Sequence, residues 1–265
     1  MSPLDAHYTT FAKDWASREE LHHEAGLNRL LEAMARWRSK RIARAIVQRD
    51  GAVIQAGPFA GMGYHDYATF GCLAPVLLGS YEQELHPHIL ALRDAGLKRI
   101  VDIGCAEGHY AVGLARLLPD VVVHAYDVDP RAQAACARLA AMNGVEDRVK
   151  VAGLFRGEDF AAVAGVDTLV MMDAEGAEDD LLDPQAWPAL QTVRLIVETH
   201  DIFRPGVKDR LVARFAPSHH IEVVENAPRL GARPEWLTPL SGLDQLIAMW
   251  EWRRAPTPWL VMSPR

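Results

Sequence analysis

Ile100-Val101-Asp102-Ile103-Gly104-Cys105-Ala106-Glu107-Gly108-His109 runs an apolar stretch straight into a loop of small residues, after which apolar residues return at helical spacing. A strand that empties into a tight turn and then a helix is the opening of a βαβ unit. A second apolar run, Val121-Val122-Val123-His124-Ala125-Tyr126, ends on Asp127. That acid stands about twenty residues beyond Gly108, where nucleoside-binding α/β folds place the carboxylate that grips a ribose. The pair of features points to a bound nucleoside cofactor.

The loop's details choose among such cofactors. A dinucleotide site asks for G-x-G-x-x-G, so that backbone amides cradle a pyrophosphate. Here the spacing is Gly104-x-Ala106-x-Gly108, with Asp102 inside the strand and Glu107 in the loop. Two carboxylates repel a pyrophosphate and suit a ligand carrying an amino group and a sulfonium. The loop resembles the acid-x-Gly-x-Gly-x-Gly first motif of class I S-adenosylmethionine (SAM) methyltransferases, with Ala106 at the middle glycine. That resemblance implies SAM as cofactor, held by Asp102, Gly104, Cys105, Ala106, Glu107 and Gly108. Asp127 is expected to accept hydrogen bonds from both ribose hydroxyls, its structural alternative being an exposed turn acid. Val128 is expected to pack on the adenine, with Phe155 or Asp159 at its edge.

Composition narrows the partners. The 265 residues are 49% hydrophobic and 24% charged, enough to bury a full core. A formal charge of -7 argues against a broad nucleic-acid surface and for a small-molecule or peptide acceptor. Cys72, Cys105 and Cys136 lack paired spacing, so neither a disulfide framework nor a structural zinc site is expected, and a reduced cytoplasm fits. No signal-peptide pattern opens the chain, and no apolar run approaches the ~18 residues of a membrane span.

Residues 17 to 48 read as helix, with Leu27, Leu30, Leu31, Met34 and Trp37 at helical spacing. Residues 51 to 79 carry repeated glycines and aromatics, among them Phe59, Tyr64, Tyr67 and Phe70, and read as a hairpin and mobile loop. The first unit, 1 to 80, is therefore expected to be a helical and hairpin cap or dimerisation region, with 81 to 265 as the cofactor-binding domain. From Leu85 onward helix and strand alternate, an α/β doubly wound sheet. Strands are expected at Arg99–Ile103, Val121–Tyr126, Val149–Ala152, Thr168–Met172, Val193–Val197, Ile221–Val224 and Trp259–Met262. Helices fall after Gly108, between Pro130 and Asn143, and over Leu243–Trp250. The methyltransferase resemblance makes this a mostly parallel, seven-stranded Rossmann-like sheet with an antiparallel last strand.

Met172-Asp173-Ala174-Glu175-Gly176-Ala177-Glu178 resembles the Asp-x-Glu-Gly-x-Glu signature of FkbM-type methyltransferases, whose members methylate hydroxyls of natural products and sugars. Matching pieces run in order from Gly57-Pro58-Phe59 through Leu78-Gly79-Ser80-Tyr81-Glu82 to Val197-Glu198-Thr199-His200. Many members carry Lys two residues before the signature Asp, where this chain has Met171. The resemblance implies O-methylation of a small molecule and places Tyr81 and Asp173 near the cofactor. Strand ends gather Asp173, Glu198 and His200, and an alcohol acceptor must lose a proton, so His200 is the candidate base with the two acids beside it. The same three residues are the alternative ligand set for a divalent ion. Rival readings are an N-methyltransferase on an amino acid or peptide and a non-catalytic SAM-binding regulator. Trp236 is a candidate wall of the acceptor pocket.

Overall fold

The computed structural model describes residues 2–18, 23–66, 71–227 and 235–265. The N-terminal region forms α1 (Pro3–Ala16), α2 (Glu24–Asp50) and α3 (Leu73–Leu78), followed by α4 (His86–Ala91). The α/β alternation then gives β1 (Arg99–Ile103), α5 (His109–Leu117), β2 (Val122–Tyr126), α6 (Pro130–Met142), β3 (Val149–Ala152) and β4 (Thr168–Met172). After these come α7 (Glu178–Leu181), β5 (Arg194–Glu198), α8 (Val207–Phe215), β6 (His219–Val224), α9 (Gly242–Ala248) and β7 (Trp259–Pro264). The strands order as β3-β2-β1-β4-β5-β7-β6. The first five pair in parallel, while β7 runs antiparallel to both β5 and β6.

Helix starts follow ordinary capping chemistry. Asp129 accepts the Arg131 backbone N–H ahead of Pro130, Ser241 accepts that of Asp244, and Ser2 accepts that of Asp5. The two faces of the sheet bury alternate residues of each strand, as the period of two requires. Ile100, Val123, Leu169, Met171 and Ile196 pack with α5 and α6 on one face. Val101, Ile103, Val170, Met172, Leu195 and Val197 pack with Phe160, Leu211 and Phe215 on the other.

The N-terminal region departs from expectation in three ways. Residues 3 to 50 form two helices, and the predicted apolar stripe of α2 is not its buried face. Leu27 and Leu31 are exposed, whereas Gly26, Ser39, Ile42, Ala43 and Ile46 are buried. α2 joins the core through its later turns, at Ile42, Ala43 and Ile46, which leaves Leu27 and Leu31 exposed. Among the described residues the hairpin reduces to a single antiparallel bridge, Val53 to Gly63. Of the predicted loop, Tyr67 and Phe70 lie outside the described residues.

Packing does not break at residue 80. Ile42, Ile46, Ile54, Phe59, Met62, Tyr64 and the whole of α3 belong to the same core as Ile100 and α5. Phe59 lies so close to Gly113 on α5 that a Cβ there would stand 2.7 Å from its ring.

Candidate functional site

The sheet runs β1→β2→β3 in one direction and β4→β5 in the other, so a crevice opens at the carboxyl ends of β1 and β4, the place where such sheets bind ligands. Gly104 turns the chain there at φ +87, and a Cβ on it would meet the Asp173 carbonyl oxygen at 1.7 Å. The Asp173 backbone N–H in turn donates to Ile103 O at 2.9 Å. Ala106 sits in the left-handed region, φ +46, which aims its N–H at Asp127 Oδ2, 2.9 Å away. Asp127 Oδ1 accepts from Asp129 N at 2.8 Å. The carboxylate is thus fixed in orientation, and each oxygen has a second acceptor position.

A cavity of about 430 Å³ lies against this loop, with Gly104, Ala106, Asp127, Val128, Phe155 and Asp173 in its walls. Five of these are expected cofactor residues at the β1, β2 and β3 ends, and Asp173 closes the set from β4. Asp102, Cys105, Glu107 and Gly108 stand behind the wall and support it. Asp102 is 3% exposed, on the strand face that turns away from the crevice. Burial, with the Asp127 charge added, pushes its carboxyl up to about 7. Glu107 accepts a hydrogen bond from the Tyr64 hydroxyl at 3.3 Å. Cys105 is buried, and the turn at Gly108 abuts Cys136. Asp102 and Glu107, the two acids expected to meet an amino group, are buried and do not line this cavity. Asp159 accepts from Arg156 N at 2.7 Å and does not line the cavity.

A second cavity, about 420 Å³, shares Asp173 and Glu175 with the first. Tyr81, expected beside the cofactor, lines this one instead, with Glu198, His200, Trp252 and Arg253. Trp236, the candidate wall of the acceptor pocket, lines neither cavity, and the Arg49 guanidinium lies over its ring at 5.0 Å. Trp252 takes the place in the wall, at φ +63, a strained conformation for a bulky residue.

His200 is 3% exposed and ringed by acids. Its Nδ1 lies 2.9 Å from Glu178 Oε1, and Nε2 lies 3.3 Å from Glu198 Oε2, 3.5 Å from Asp173 Oδ1 and 3.7 Å from Glu175 Oε2. Burial depresses the imidazole, but hydrogen bonds to Glu178 and Glu198 and the nearby carboxylate charges outweigh it and raise the group to about 11. A ring held as imidazolium carries its proton already, so a general-base role for His200 would first require that proton to leave. Burial and the Glu198 charge push the Asp173 carboxyl well above its ordinary range.

Glu198 is also committed elsewhere. It accepts from the Thr257 hydroxyl at 2.7 Å and pairs with Arg253. Burial opposes its ionisation, yet His200, Arg253 and Thr257 hold it down to about 2. Arg253 further reaches Glu82 at 2.6 Å and Glu251 at 3.0 Å. Burial and Glu198 push Glu82 up to about 8, and Tyr110 donates to it. Among the described residues, the group whose donor atoms all lie within 4.8 Å of one another is Asp173, Glu175 and His200, with Glu175 in place of the expected Glu198.

Arg253, Thr257 and Trp252 are the residues that the sequence reading missed. Because β7 is antiparallel, with Glu198 opposite Trp259, the loop before it arrives at the carboxyl ends of the parallel strands. The signal available was an aromatic and basic run, Trp250-Glu251-Trp252-Arg253-Arg254, just ahead of a strand whose direction periodicity does not reveal.

No protein-family model matches the chain, and no curated relative does. Among solved structures it is similar to the O-methyltransferase TomG from Streptomyces achromogenes in complex with SAM, at 17% identity and a TM-score of 0.48, covering 72% of this chain and 82% of that one. It is similar to the Bacillus cereus O-methyltransferase in complex with S-adenosylhomocysteine (SAH) at 13% identity and a TM-score of 0.46, covering 67% and 79%. An rRNA methylase from Streptococcus thermophilus gives 14% identity and a TM-score of 0.47, covering 69% and 96%. At such identities and TM-scores the likeness carries no argument about what this chain acts on. Among the described residues no helix is long and apolar enough to cross a membrane.

Proposed function

We propose that this chain is a SAM-dependent methyltransferase that methylates a hydroxyl of a small molecule. The observation that carries the reading is the meeting of two cavities at Asp173 and Glu175. One cavity has an oriented carboxylate, Asp127, at the ribose position beside a glycine turn at the sheet's switch point. The other is enclosed by Tyr81, His200 and Trp252. Each falls within the roughly 300–1,000 Å³ usual for small-ligand sites.

In this reading the cofactor, held by the residues of the first cavity, would supply a sulfonium methyl to an acceptor in the second. An acceptor oxygen in the second cavity forms the new O–C bond as the C–S bond breaks. The bonding pair leaves on sulfur, the sulfonium becomes a neutral thioether, and the hydroxyl proton is released to water. The leaving group is already activated, so the protein's work is alignment and electrostatics. The acids at the junction favour the cationic cofactor, and Glu178 and Glu198 hold His200 as a fixed part of the wall.

Calorimetric titration tests the reading. SAH should bind and NAD should not. Asp127→Ala should weaken SAH at least tenfold, because two charge-assisted hydrogen bonds worth about 1.5–3 kcal/mol each are lost. Equal SAH affinity in the variant would refute the ribose assignment, and absence of SAH binding in the parent would refute the function.

A further inference from the structure

We propose that Asp173 Oδ1, Glu175 Oε2 and His200 Nε2 bind one divalent cation of the Mn²⁺ type at the wall between the cavities, where it takes the acceptor's hydroxyl oxygen. The cation site stands on its own geometry. Its role toward an acceptor rests on the methyltransferase reading above.

The spacing is the first ground. Nε2 stands 3.5 Å from Asp173 Oδ1 and 3.7 Å from Glu175 Oε2, beyond the ~2.7–3.2 Å of a good N–H···O bond. Ligand atoms each about 2.1 Å from a common ion are about 3.0 Å apart at right angles and about 3.4 Å apart in a tetrahedron. The two contacts to Nε2 need shorten by only about 0.1–0.7 Å to reach those spacings, and all three donor atoms lie within 4.8 Å of one another.

The second ground is an orphaned acceptor. Asp173 Oδ1 is shut off from solvent and receives no hydrogen bond, although it belongs to a carboxylate that lines both cavities. A buried acceptor without a donor is costly, and it faces the ring nitrogen of a histidine that is itself 3% exposed. A cation between the two would give Asp173 Oδ1 a partner and would draw Nε2 from its 3.3 Å contact with Glu198 Oε2.

The third ground is how His200 is held. Its Nδ1 is bound by Glu178, a fully buried carboxylate that also accepts the backbone N–H groups of Ala174 and Gly176 at 3.2 Å each. Histidines that ligate metals usually donate their other N–H to such a carboxylate, which fixes the ring and makes the ligating nitrogen more basic. Once an ion takes Nε2, the proton that the surrounding acids otherwise keep there is released.

Glu175 reaches the ion because the turn is built to present it. Its backbone is left-handed, φ +51, and Gly176 follows at φ +107. The side chain is 72% exposed, without a structural task in the core. One imidazole with two carboxylates is a mixed nitrogen and oxygen set that suits Mn²⁺, with Mg²⁺ as the harder competitor. A cation held there would let an acceptor hydroxyl give up its proton to water more readily. The hydroxyl oxygen then bonds to the methyl carbon while the C–S pair leaves on sulfur.

The test titrates chelator-stripped, full-length protein with MnCl₂, followed by calorimetry and by the electron paramagnetic resonance of free Mn²⁺, with MgCl₂ as competitor. One equivalent should bind. Glu175→Gln and His200→Gln should each weaken binding at least about tenfold, with Glu175→Gln keeping the parent's melting temperature so that its loss is not one of folding. No saturable Mn²⁺ binding in the parent, or equal binding in the parent and Glu175→Gln, would overturn the site. SAH titrated into the same parent sample keeps the two ideas apart: Mn²⁺ binding without SAH binding rejects the cofactor reading alone, and the reverse rejects the cation alone.

Discussion

Glu178 Oε1 lies 2.9 Å from His200 Nδ1, and the same oxygen accepts the N–H groups of Ala174 and Gly176. One buried carboxylate therefore ties the turn after β4 to the end of β5, the two strand ends that carry the shared wall. Glu178→Gln removes the charge and places an amide where three donors converge. Unfolding in urea should show a loss of about 3 kcal/mol, in the range seen when one partner of a buried ion pair is removed. Glu175→Gln, three residues earlier and exposed, should stay within about 0.5 kcal/mol of the parent. Comparable losses in both would mean that Glu178 has no special place in the packing.

The turn at Gly104 allows a similar contrast. Alanine there meets two penalties, a left-handed backbone and a Cβ 1.7 Å from the Asp173 carbonyl oxygen. Backbone cannot yield as a side-chain tip can, so Gly104→Ala should cost more than about 4 kcal/mol or fail to fold. Gly144 is left-handed as well, φ +64, with open space around its Cβ position. Gly144→Ala should cost only the backbone strain, about 1–2 kcal/mol, and thermal melts of the two variants rank them directly.

What was legible in the chain follows from the range over which its signals act. The Gly104 turn, the Asp127 position and the Asp129-Pro130 helix start are local, set by backbone conformation and near hydrogen bonds, and they emerge where the pattern places them. The carboxylates at the ends of β4 and β5 were legible as a cluster because parallel strands bring their carboxyl ends together. Their protonation was not. Whether His200 gains or loses a proton depends on acids at 173, 175, 178 and 198, whose summed field exists only in the folded arrangement. Arg253 depends likewise on the direction of β7, and the buried face of α2 on which neighbours reach it.

The boundary near residue 80 carries a further prediction. Residues 42 to 78 supply part of the core beneath β1 and α5, with Phe59 on Gly113 and the Asn143 amide bonded to Gly63 on both its N–H and C=O. Residues 81–265 alone expose that apolar face and should be insoluble or lack a cooperative melt. Removing residues 1–18 takes away α1, whose buried residue is Trp15, and should leave a folded protein. A soluble, cooperatively melting 81–265 fragment would show the N-terminal region to be a separable cap.

Asp102 gives the pH prediction. Burial and the Asp127 charge raise its carboxyl to about 7 from the ordinary 3.8. Between those values the native protein holds a proton that the unfolded chain has released. Raising the pH through that window therefore lowers stability, by at most about 1.4 kcal/mol per unit. The contribution is complete below about pH 3.8 and gone above about pH 7. Asp102→Asn cannot ionise and keeps the shape of the neutral acid. Its fixed cost, from placing an amide where Asp102 Oδ2 has no partner, is the same at every pH. The stability of Asp102→Asn relative to the parent should therefore rise by a few kcal/mol between pH 4.5 and pH 8, read from urea unfolding at both values. A difference that does not change with pH would place the Asp102 ionisation in the ordinary carboxylate range and remove burial as the force that sets it.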